Sequence, residues 1–132
     1  MIRLATVDDE DQLIELALAF NAAYFDIPVV PEKLDAWITT HMQHGVTYLS
    51  EDGFISGLIV PDPLRDHTVL LETGWFSRDN QGARLLLKFI ATGREYADEV
   101  RMTTLSNSPP EAAYILDRLG FKEIERSWRL MT

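Results

Sequence analysis

The chain has 132 residues, no cysteine and a formal net charge of −9. Without cysteine, disulfides, thiolate nucleophiles and cysteine-ligated metal sites are excluded, which agrees with a cytoplasmic location. The negative charge disfavours binding to nucleic acid or to anionic lipid, and the absence of an apolar run near the ~18 residues of a membrane span predicts a soluble protein.

The N-terminal third predicts a strand followed by two helices. Residues 2–5 alternate like a short strand, and Thr6 with the acidic residues after it predicts the start of the first helix. Pro28 and Pro31 break the chain after this helix, because proline lacks the amide hydrogen that a helix interior requires. Pro31 fits the first turn of a second helix that runs to about His44.

The middle of the chain predicts an antiparallel hairpin and a third strand beside it. Asp52-Gly53 is typical of a tight hairpin turn, and it separates the apolar strands 47–50 and 54–60. Residues 68 to about 76 form a third run of β-branched and apolar residues. A polar turn over 77–84 follows this strand directly.

The pattern in the C-terminal part of the chain predicts a helix, a strand, a second helix and a final strand. Apolar residues recur at helical spacing after the polar turn as far as Ala97, and 100–105 reads as a strand. A loop and a short helix over 111–119 come next, and 121–131 predicts a final strand or hairpin arm. The predicted order is β-α-α-β-β-β-α-β-α-β, a single mixed α/β domain over residues 1–132.

The turn between the third hairpin-region strand and its helix is a candidate anion site. The first amide groups of a helix are unpaired and lie at the positive end of its dipole, which favours phosphate. Gly82 and Ala83 are small enough to let a ligand approach the backbone, and Arg78, Arg84 and Lys88 are nearby cations. An ordinary helix entry with solvated cations explains the same residues equally well.

Several motifs, taken in order, resemble the GNAT superfamily of N-acetyltransferases. The stretch from Arg78 to Ala83 resembles that family's loop for the pyrophosphate of coenzyme A. Residues 2–6, 53–57 and Leu119-Gly120-Phe121 resemble its first strand, central hairpin and late signature, so the resemblance covers essentially the whole chain. It implies a central mixed sheet with helices on both faces and acetyl-CoA as acyl donor. The cofactor-binding residues that it implies are Thr73, Trp75, Phe76, Ser77, Arg78, Gln81, Gly82, Ala83, Arg84 and Asn107.

The pyrophosphate loop departs from the family pattern at one position. With Arg78 aligned to the first residue of the motif, Gln81 replaces a glycine, so the loop is wider or reshaped. This register ends the preceding strand at Thr73 and places 75–77 in the loop, whereas a strand that extends to Phe76 requires a shorter loop. Both registers stay open.

The resemblance also implies an acid–base pair. Glu72 resembles the glutamate that many GNAT enzymes use as a base, and burial among apolar neighbours raises the pKa of a carboxyl group towards working pH. Strand alternation is equally compatible with a Glu72 that points to solvent. The family's thiolate-protonating tyrosine is replaced by Leu116, and Tyr114 lies about 200° away around a helix.

The acceptor in this family lies between the first two helices and the sheet. Tyr24, Phe25 and Asp26 are the local candidates for binding it, with Trp37 as a further aromatic that is more often core. His41 and His44 share a helix face, but the pattern is more typical of surface histidines than of a metal site, and no metal is expected.

The leading hypothesis is an N-acetyltransferase that transfers the acetyl group of acetyl-CoA to a primary amine. The acceptor is a small molecule, a peptide or a protein, and the acidic balance favours a cationic one. The alternative is a non-catalytic acyl-CoA-binding or protein-interaction domain with a GNAT-like fold, which Gln81 and Leu116 favour. A homodimer is compatible with either hypothesis.

Overall fold

The computed structural model describes residues 1–132 and contains one five-stranded sheet and four α-helices. The elements in chain order are β1 (Arg3–Leu4), a 3₁₀ turn (Val7–Asp9), α1 (Glu10–Tyr24), α2 (Pro31–His44), β2 (Gly45–Ser50), β3 (Gly53–Pro61), β4 (Thr68–Ser77), α3 (Gly82–Tyr96), β5 (Glu99–Arg101) and α4 (Pro110–Arg118). The predicted mixed α/β fold class is confirmed. No helix is both long enough and apolar enough to cross a membrane.

The sheet is antiparallel on one side and parallel on the other. Its strands follow in the order β1-β2-β3-β4-β5, with antiparallel pairing through β4 and a parallel pairing between β4 and β5. The β4–β5 ladder covers only Val69–Leu71 against Glu99–Arg101, although β4 continues to Ser77. The two strands therefore separate after Leu71, and we call this opening the fork.

Helices cover both faces of the sheet, as predicted. On one face α1 and α2 pack against the sheet around Leu13, Leu16, Ile38, Leu49 and Phe54. On the other face α3 and α4 enclose a second cluster. This second cluster consists of Ile55, Leu70, Leu85, Leu86, Phe89 and Leu116. Neighbouring residues such as Phe54 and Ile55 serve opposite clusters because successive strand side chains point to opposite faces.

A β-bulge in β4 sets the direction of the side chains near the fork. Gly57 pairs with Glu72 and Ser56 pairs with Gly74, so Thr73 is the extra residue. Because β4 reaches Ser77, the longer-strand register holds and the connection to α3 has only residues 78–81. Trp75 and Phe76 are therefore strand residues.

The end of the chain differs from the prediction. Residues 121–132 form no strand, so the expected final strand is wrong for this structure, and β5 is shorter than the predicted 100–105. The Phe121 amide donates to the Leu116 carbonyl oxygen at 3.0 Å, and Phe121 packs against the core cluster of α3 and α4. Every residue after Phe121 is exposed. An alternating sequence forms a strand only when its backbone pairs with another strand, and residues 122–132 make no such pairing.

Candidate active site

A cleft of about 480 Å³ opens at the fork. Its walls come from β4 beyond Leu71, from the chain that follows β5, and from the starts of α3 and α4, while the end of α1 closes one side. The lining residues from β4 and α3 are Glu72, Thr73, Trp75, Phe76, Ser77, Gly82 and Ala83. The size is that of an ordinary small-molecule site.

Glu72 is the buried ionisable group of this cleft. Only 8% of the residue is exposed, and one carboxylate oxygen accepts a hydrogen bond of 3.0 Å from the Thr103 amide. Burial raises the pKa of Glu72 to about 7, although the Thr103 amide acts in the opposite direction by stabilising the charged form. A carboxyl group with this pKa exchanges its proton readily near neutral pH, as a general base must.

Thr73, the residue after Glu72, belongs to a chain of hydrogen bonds that runs from the Trp37 carbonyl oxygen to the Ser56 hydroxyl. The His41 Nδ1–H donates to the Trp37 carbonyl oxygen at 2.7 Å, so His41 Nε2 accepts from the Thr73 hydroxyl, also at 2.7 Å. Ser56 Oγ lies 3.0 Å from Thr73 Oγ1 and completes the chain as a donor. Burial lowers the pKa of His41 and keeps it neutral. The expectation that His41 lies on the surface is wrong, because this face of α2 packs on the sheet and only 3% of His41 is exposed.

The start of α3 offers unpaired amide groups to the cleft. The amides of Gly82, Ala83 and Arg84 donate to no group of the protein, and the first helical hydrogen bond runs from the Leu85 amide to the Gln81 carbonyl oxygen. Trp75 Nε1 donates to the Gly82 carbonyl oxygen at 3.0 Å and fixes the turn against β4. This end of the helix fits an anion, since its dipole is positive there.

The two charged residues of the connection 78–81, Arg78 and Asp79, both bond to other groups of the protein. The Arg78 guanidinium forms 2.7 Å ion pairs with Asp52 and with Glu15, and it does not line the cleft. The Asp79 carboxylate accepts hydrogen bonds from the Ser77 hydroxyl and from the Asp52 and Gln81 amides. These bonds outweigh burial and hold the pKa of Asp79 below its usual value, so the carboxylate is charged. These bonds stabilise the connection from within, and they leave the backbone N–H of Gln81 unavailable to a ligand.

Aromatic side chains form the wall near α1. Phe20, Tyr24, Phe25 and Phe76 line the cleft, and the Phe20 ring centroid lies 5.5–5.8 Å from those of the other three. Of the residues proposed for the acceptor, Tyr24 and Phe25 are thus in the cleft, whereas Asp26 and Trp37 do not line it. Asn107 is also outside the lining, where its side-chain amide donates to the Tyr24 carbonyl oxygen at 3.2 Å.

The Arg84 side chain points away from the cleft, and neither Leu116, which stands at the family's tyrosine position, nor Tyr114 lines it. The Arg84 side chain lies with Met1, Ile2 and Lys88 in a shallow depression on the far side of α3. Leu116 is buried in the core cluster of α3 and α4. The Tyr114 hydroxyl is exposed and accepts a hydrogen bond from Arg118 at 2.8 Å.

Leu116→Tyr is expected to destabilise the protein without raising any transfer rate. The larger side chain would enter a packed core rather than the cleft, and overpacking of this kind costs about 1–3 kcal/mol. Chemical denaturation measures the loss. Tyr114→Leu, which removes an exposed ring, is the control and should leave the free energy of unfolding nearly unchanged.

Much of the opposite wall was not anticipated from the sequence. It consists of Thr103, Thr104, Leu105, Ser108, Pro109, Glu111, Ala112 and Ile115. Two further lining residues, Phe20 of α1 and Asn80 of the connection 78–81, are also absent from the sequence-based prediction. These residues carry no motif. The end of a predicted strand next to a predicted helix start was the one signal that could have indicated a site here. No group of three or more histidine, aspartate or glutamate side chains is arranged to hold a metal ion.

Among the comparisons with known proteins, only the one with solved structures supports the fold. No family model matches the chain, and no curated protein matches it. A solved structure described as a probable acetyltransferase superposes with a TM-score of 0.79 at 19% identity, covering 100% of this chain and 97% of the other.

Two similar structures were solved with ligands. A predicted acetyltransferase from Clostridium acetobutylicum with acetyl-CoA gives a TM-score of 0.77 at 12% identity, over 99% of this chain and 95% of that one. AAC(6')-Iy, in complex with the bisubstrate analog CoA-S-monomethyl-acetylneamine, gives a TM-score of 0.72 at 17% identity. The match covers 100% of this chain and 97% of that one. Over its full length, this chain has the GNAT acetyltransferase fold.

Proposed function

We propose that the protein is an N-acetyltransferase that uses acetyl-CoA as the acyl donor and a primary amine as the acceptor. One observation carries the proposal: a single buried carboxylate with a pKa near 7, Glu72, faces the cleft that the fork opens between β4 and the chain after β5. A shared fold alone would not indicate an activity, since one fold serves many chemistries.

The cleft fits the chemistry of coenzyme A at two places. Beyond Leu71, the side of β4 that faces the fork has no neighbouring strand, so its backbone groups can pair with the amides of an extended ligand. The unpaired amides of Gly82, Ala83 and Arg84 suit the pyrophosphate. A Cβ atom added to Gly82 would have its nearest neighbour at 3.6 Å, so space remains in front of this backbone.

Glu72 takes the role of general base in this proposal. Bound in the cleft, acetyl-CoA supplies an acetyl group activated as a thioester. The ionised Glu72 carboxylate accepts the proton that the ammonium group of the acceptor loses, directly or through one water molecule, and so generates the nucleophilic amine. The amine nitrogen then forms the new bond to the acetyl carbon as the carbon–sulfur bond breaks. The second proton of that nitrogen passes to the departing sulfur, directly or through water, and CoA leaves as the thiol.

The cleft favours a cationic acceptor with an apolar portion. Its lining includes the acidic residues Glu72 and Glu111 but neither lysine nor arginine, and the chain as a whole carries a net charge of −9. The aromatic wall of Phe20, Tyr24 and Phe25 can contact an apolar or cationic group. We therefore propose an aliphatic amine attached to an apolar body.

A second candidate is a domain that binds acyl-CoA without turnover. The observation that favours it is that α4 presents no tyrosine hydroxyl to the cleft, so this helix offers no such proton donor to a leaving sulfur.

Calorimetric titration with acetyl-CoA and with free CoA, followed by transfer assays on a panel of amines, separates these functions. Binding of both nucleotides with transfer to at least one amine supports the enzyme. Binding without transfer to any amine supports the non-catalytic domain. If neither compound binds at millimolar concentration, both candidates are wrong.

Gly82→Val is expected to weaken acetyl-CoA binding at least tenfold, on the order of 1.4 kcal/mol, while the fold stays intact. The added side chain would stand in front of the amides at the start of α3, where it meets no protein atom closely. Isothermal titration measures the change. Ala91→Val enlarges an exposed position on the same helix and should bind like the parent. Equal affinity for both variants would remove this helix start from the site.

A further inference from the structure

His41 is a polar residue in a part of the protein that is otherwise apolar. It lies on the face of α2 that packs on the sheet, and its ring centroid is 4.1 Å from that of Trp37. Both ring nitrogens are hydrogen-bonded at 2.7 Å, one to the Trp37 carbonyl oxygen and the other to the Thr73 hydroxyl. A buried imidazole costs free energy even when both nitrogens are bonded, and an apolar side chain would avoid that cost. The histidine therefore indicates that a directed bond to Thr73 is required at this position.

Thr73 is the point at which the pairing of β4 with β3 can slip. It is the extra residue between the pair of Ser56 with Gly74 and the pair of Gly57 with Glu72. Sliding the bulge by one residue would pair Thr73 with Gly57 and leave Glu72 as the extra residue. Because a shift of one residue turns a side chain to the other face of the sheet, the place of the bulge decides where the Glu72 carboxyl group points.

The two faces of the sheet distinguish the observed arrangement from the slipped one. Directly paired residues of antiparallel strands point to the same face. Gly57 faces α3, since an added Cβ atom there would stand 2.5 Å from the ring of Phe89. A Thr73 paired with Gly57 would therefore turn its hydroxyl towards α3, whereas His41 lies on the opposite face, on the side of α2. The hydrogen bond between Thr73 and His41 opposes the slip.

Ser56 stabilises the same arrangement. The residue is fully buried, and its hydroxyl oxygen lies 3.0 Å from Thr73 Oγ1. Since the Thr73 hydroxyl donates to His41, the Ser56 hydroxyl donates to Thr73. A slip would deprive two buried groups, the His41 nitrogen and the Ser56 hydroxyl, of Thr73 as their partner, and an unpaired buried polar group is costly.

We propose that His41 is a positioning residue, which holds the bulge at Thr73 and thereby keeps the Glu72 carboxyl group directed into the cleft. His41 itself does not line the cleft. Its hydrogen bond acts on the residue that follows the base in the sequence. The consequence for catalysis rests on the proposed acetyl transfer, whereas the effect on the position of Glu72 does not.

The titration of the Glu72 side chain reports its position directly, and NMR of protein with ¹³C-labelled glutamate carboxyl groups measures it. The Glu72 signal is the one that is missing from Glu72→Gln. In the parent it should titrate at about pH 7, because burial raises the pKa of this carboxyl group. In His41→Leu, which accepts no hydrogen bond, the midpoint should fall by at least one pH unit towards 4.5 as the carboxyl group reaches water.

Three further variants isolate the hydrogen bond. His41→Gln keeps an oxygen that can accept from Thr73 and should retain the parent midpoint, as should His44→Leu, which changes an exposed histidine of the same helix. Thr73→Val removes the hydroxyl and should lower the midpoint, which provides the test if His41→Leu does not fold. Circular dichroism checks that each variant is folded. A folded His41→Leu or Thr73→Val with the parent midpoint overturns the proposal, and so does a lowered midpoint in His41→Gln.

Steady-state kinetics separate the role of His41 from the proposed function. His41→Leu should lower kcat for acetyl transfer at least tenfold, with a smaller change in the KM for acetyl-CoA, and His41→Gln should restore most of the rate. A parent that transfers no acetyl group to any amine would contradict the proposed function. The NMR titration would then still decide whether His41 positions Glu72.

Discussion

Glu72→Gln should lower the rate of acetyl transfer by about 10²-fold or more while leaving the dissociation constant for acetyl-CoA nearly unchanged. Glutamine keeps the shape of the side chain and an oxygen that can accept from the Thr103 amide, but it cannot take up a proton. The loss should therefore appear in kcat rather than in cofactor binding. Steady-state kinetics with the best amine, together with titration of acetyl-CoA, measure the two quantities.

The pH profile provides an internal control for this variant. Because Glu72 must be ionised to accept a proton and its pKa lies at about 7, the parent rate should rise with pH and level off above 7. Glu72→Gln should lack this rise. Glu111→Gln removes another carboxylate from the cleft lining and should retain it. A Glu72→Gln variant as active as the parent would assign the proton to another group or to water.

The buried carboxyl group should also make stability depend on pH in an unusual direction. The pKa of Glu72 rises from 4.5 to about 7 in the folded state, so folding favours the protonated form. Its contribution is fully present below pH 4.5 and is lost as the pH rises through 7. At 1.36 kcal/mol for each pH unit between these values, the parent should lose about 3 kcal/mol relative to Glu72→Gln between pH 4 and pH 8.

Urea denaturation of the two proteins at several pH values measures this difference. Comparison with Glu72→Gln cancels the opposite trend of carboxylates with lowered pKa, such as Asp79 and Glu99, which stabilise the fold as the pH rises. Glu111→Gln should run parallel to the parent. If Glu72→Gln also runs parallel, the Glu72 carboxyl group is not desolvated in the folded protein.

Local signals in the sequence were sufficient for most of the fold. Asp52-Gly53 forms the predicted hairpin turn, Pro31 begins α2, and the order of elements is confirmed as far as α4. These features depend on backbone preferences of a few neighbouring residues. The predicted last strand is wrong because alternation is a local pattern, whereas a strand requires backbone pairing, and residues 122–132 pair with no strand of the sheet.

The candidate site could be predicted only in part, because contacts between residues far apart in the sequence decide where its side chains point. Arg78 stands in the expected loop, yet it pairs with Asp52 and Glu15, which are 26 and 63 residues away in the sequence. The bulge at Thr73 and the separation of β5 from β4 create the cleft, and neither has a motif. Thr103 and Ala112 therefore became visible as lining residues only in three dimensions.

The fork affects how far the sequence of such a chain can diverge while the cleft is kept. Because the open side of β4 and the start of α3 present main-chain groups, recognition of a ligand there would depend on backbone geometry more than on side-chain identity. Many substitutions preserve backbone geometry as long as the apolar pattern and a few small residues remain. A site of this kind would tolerate wide divergence of sequence, such as the 12–19% identity between this chain and the solved structures that share its fold.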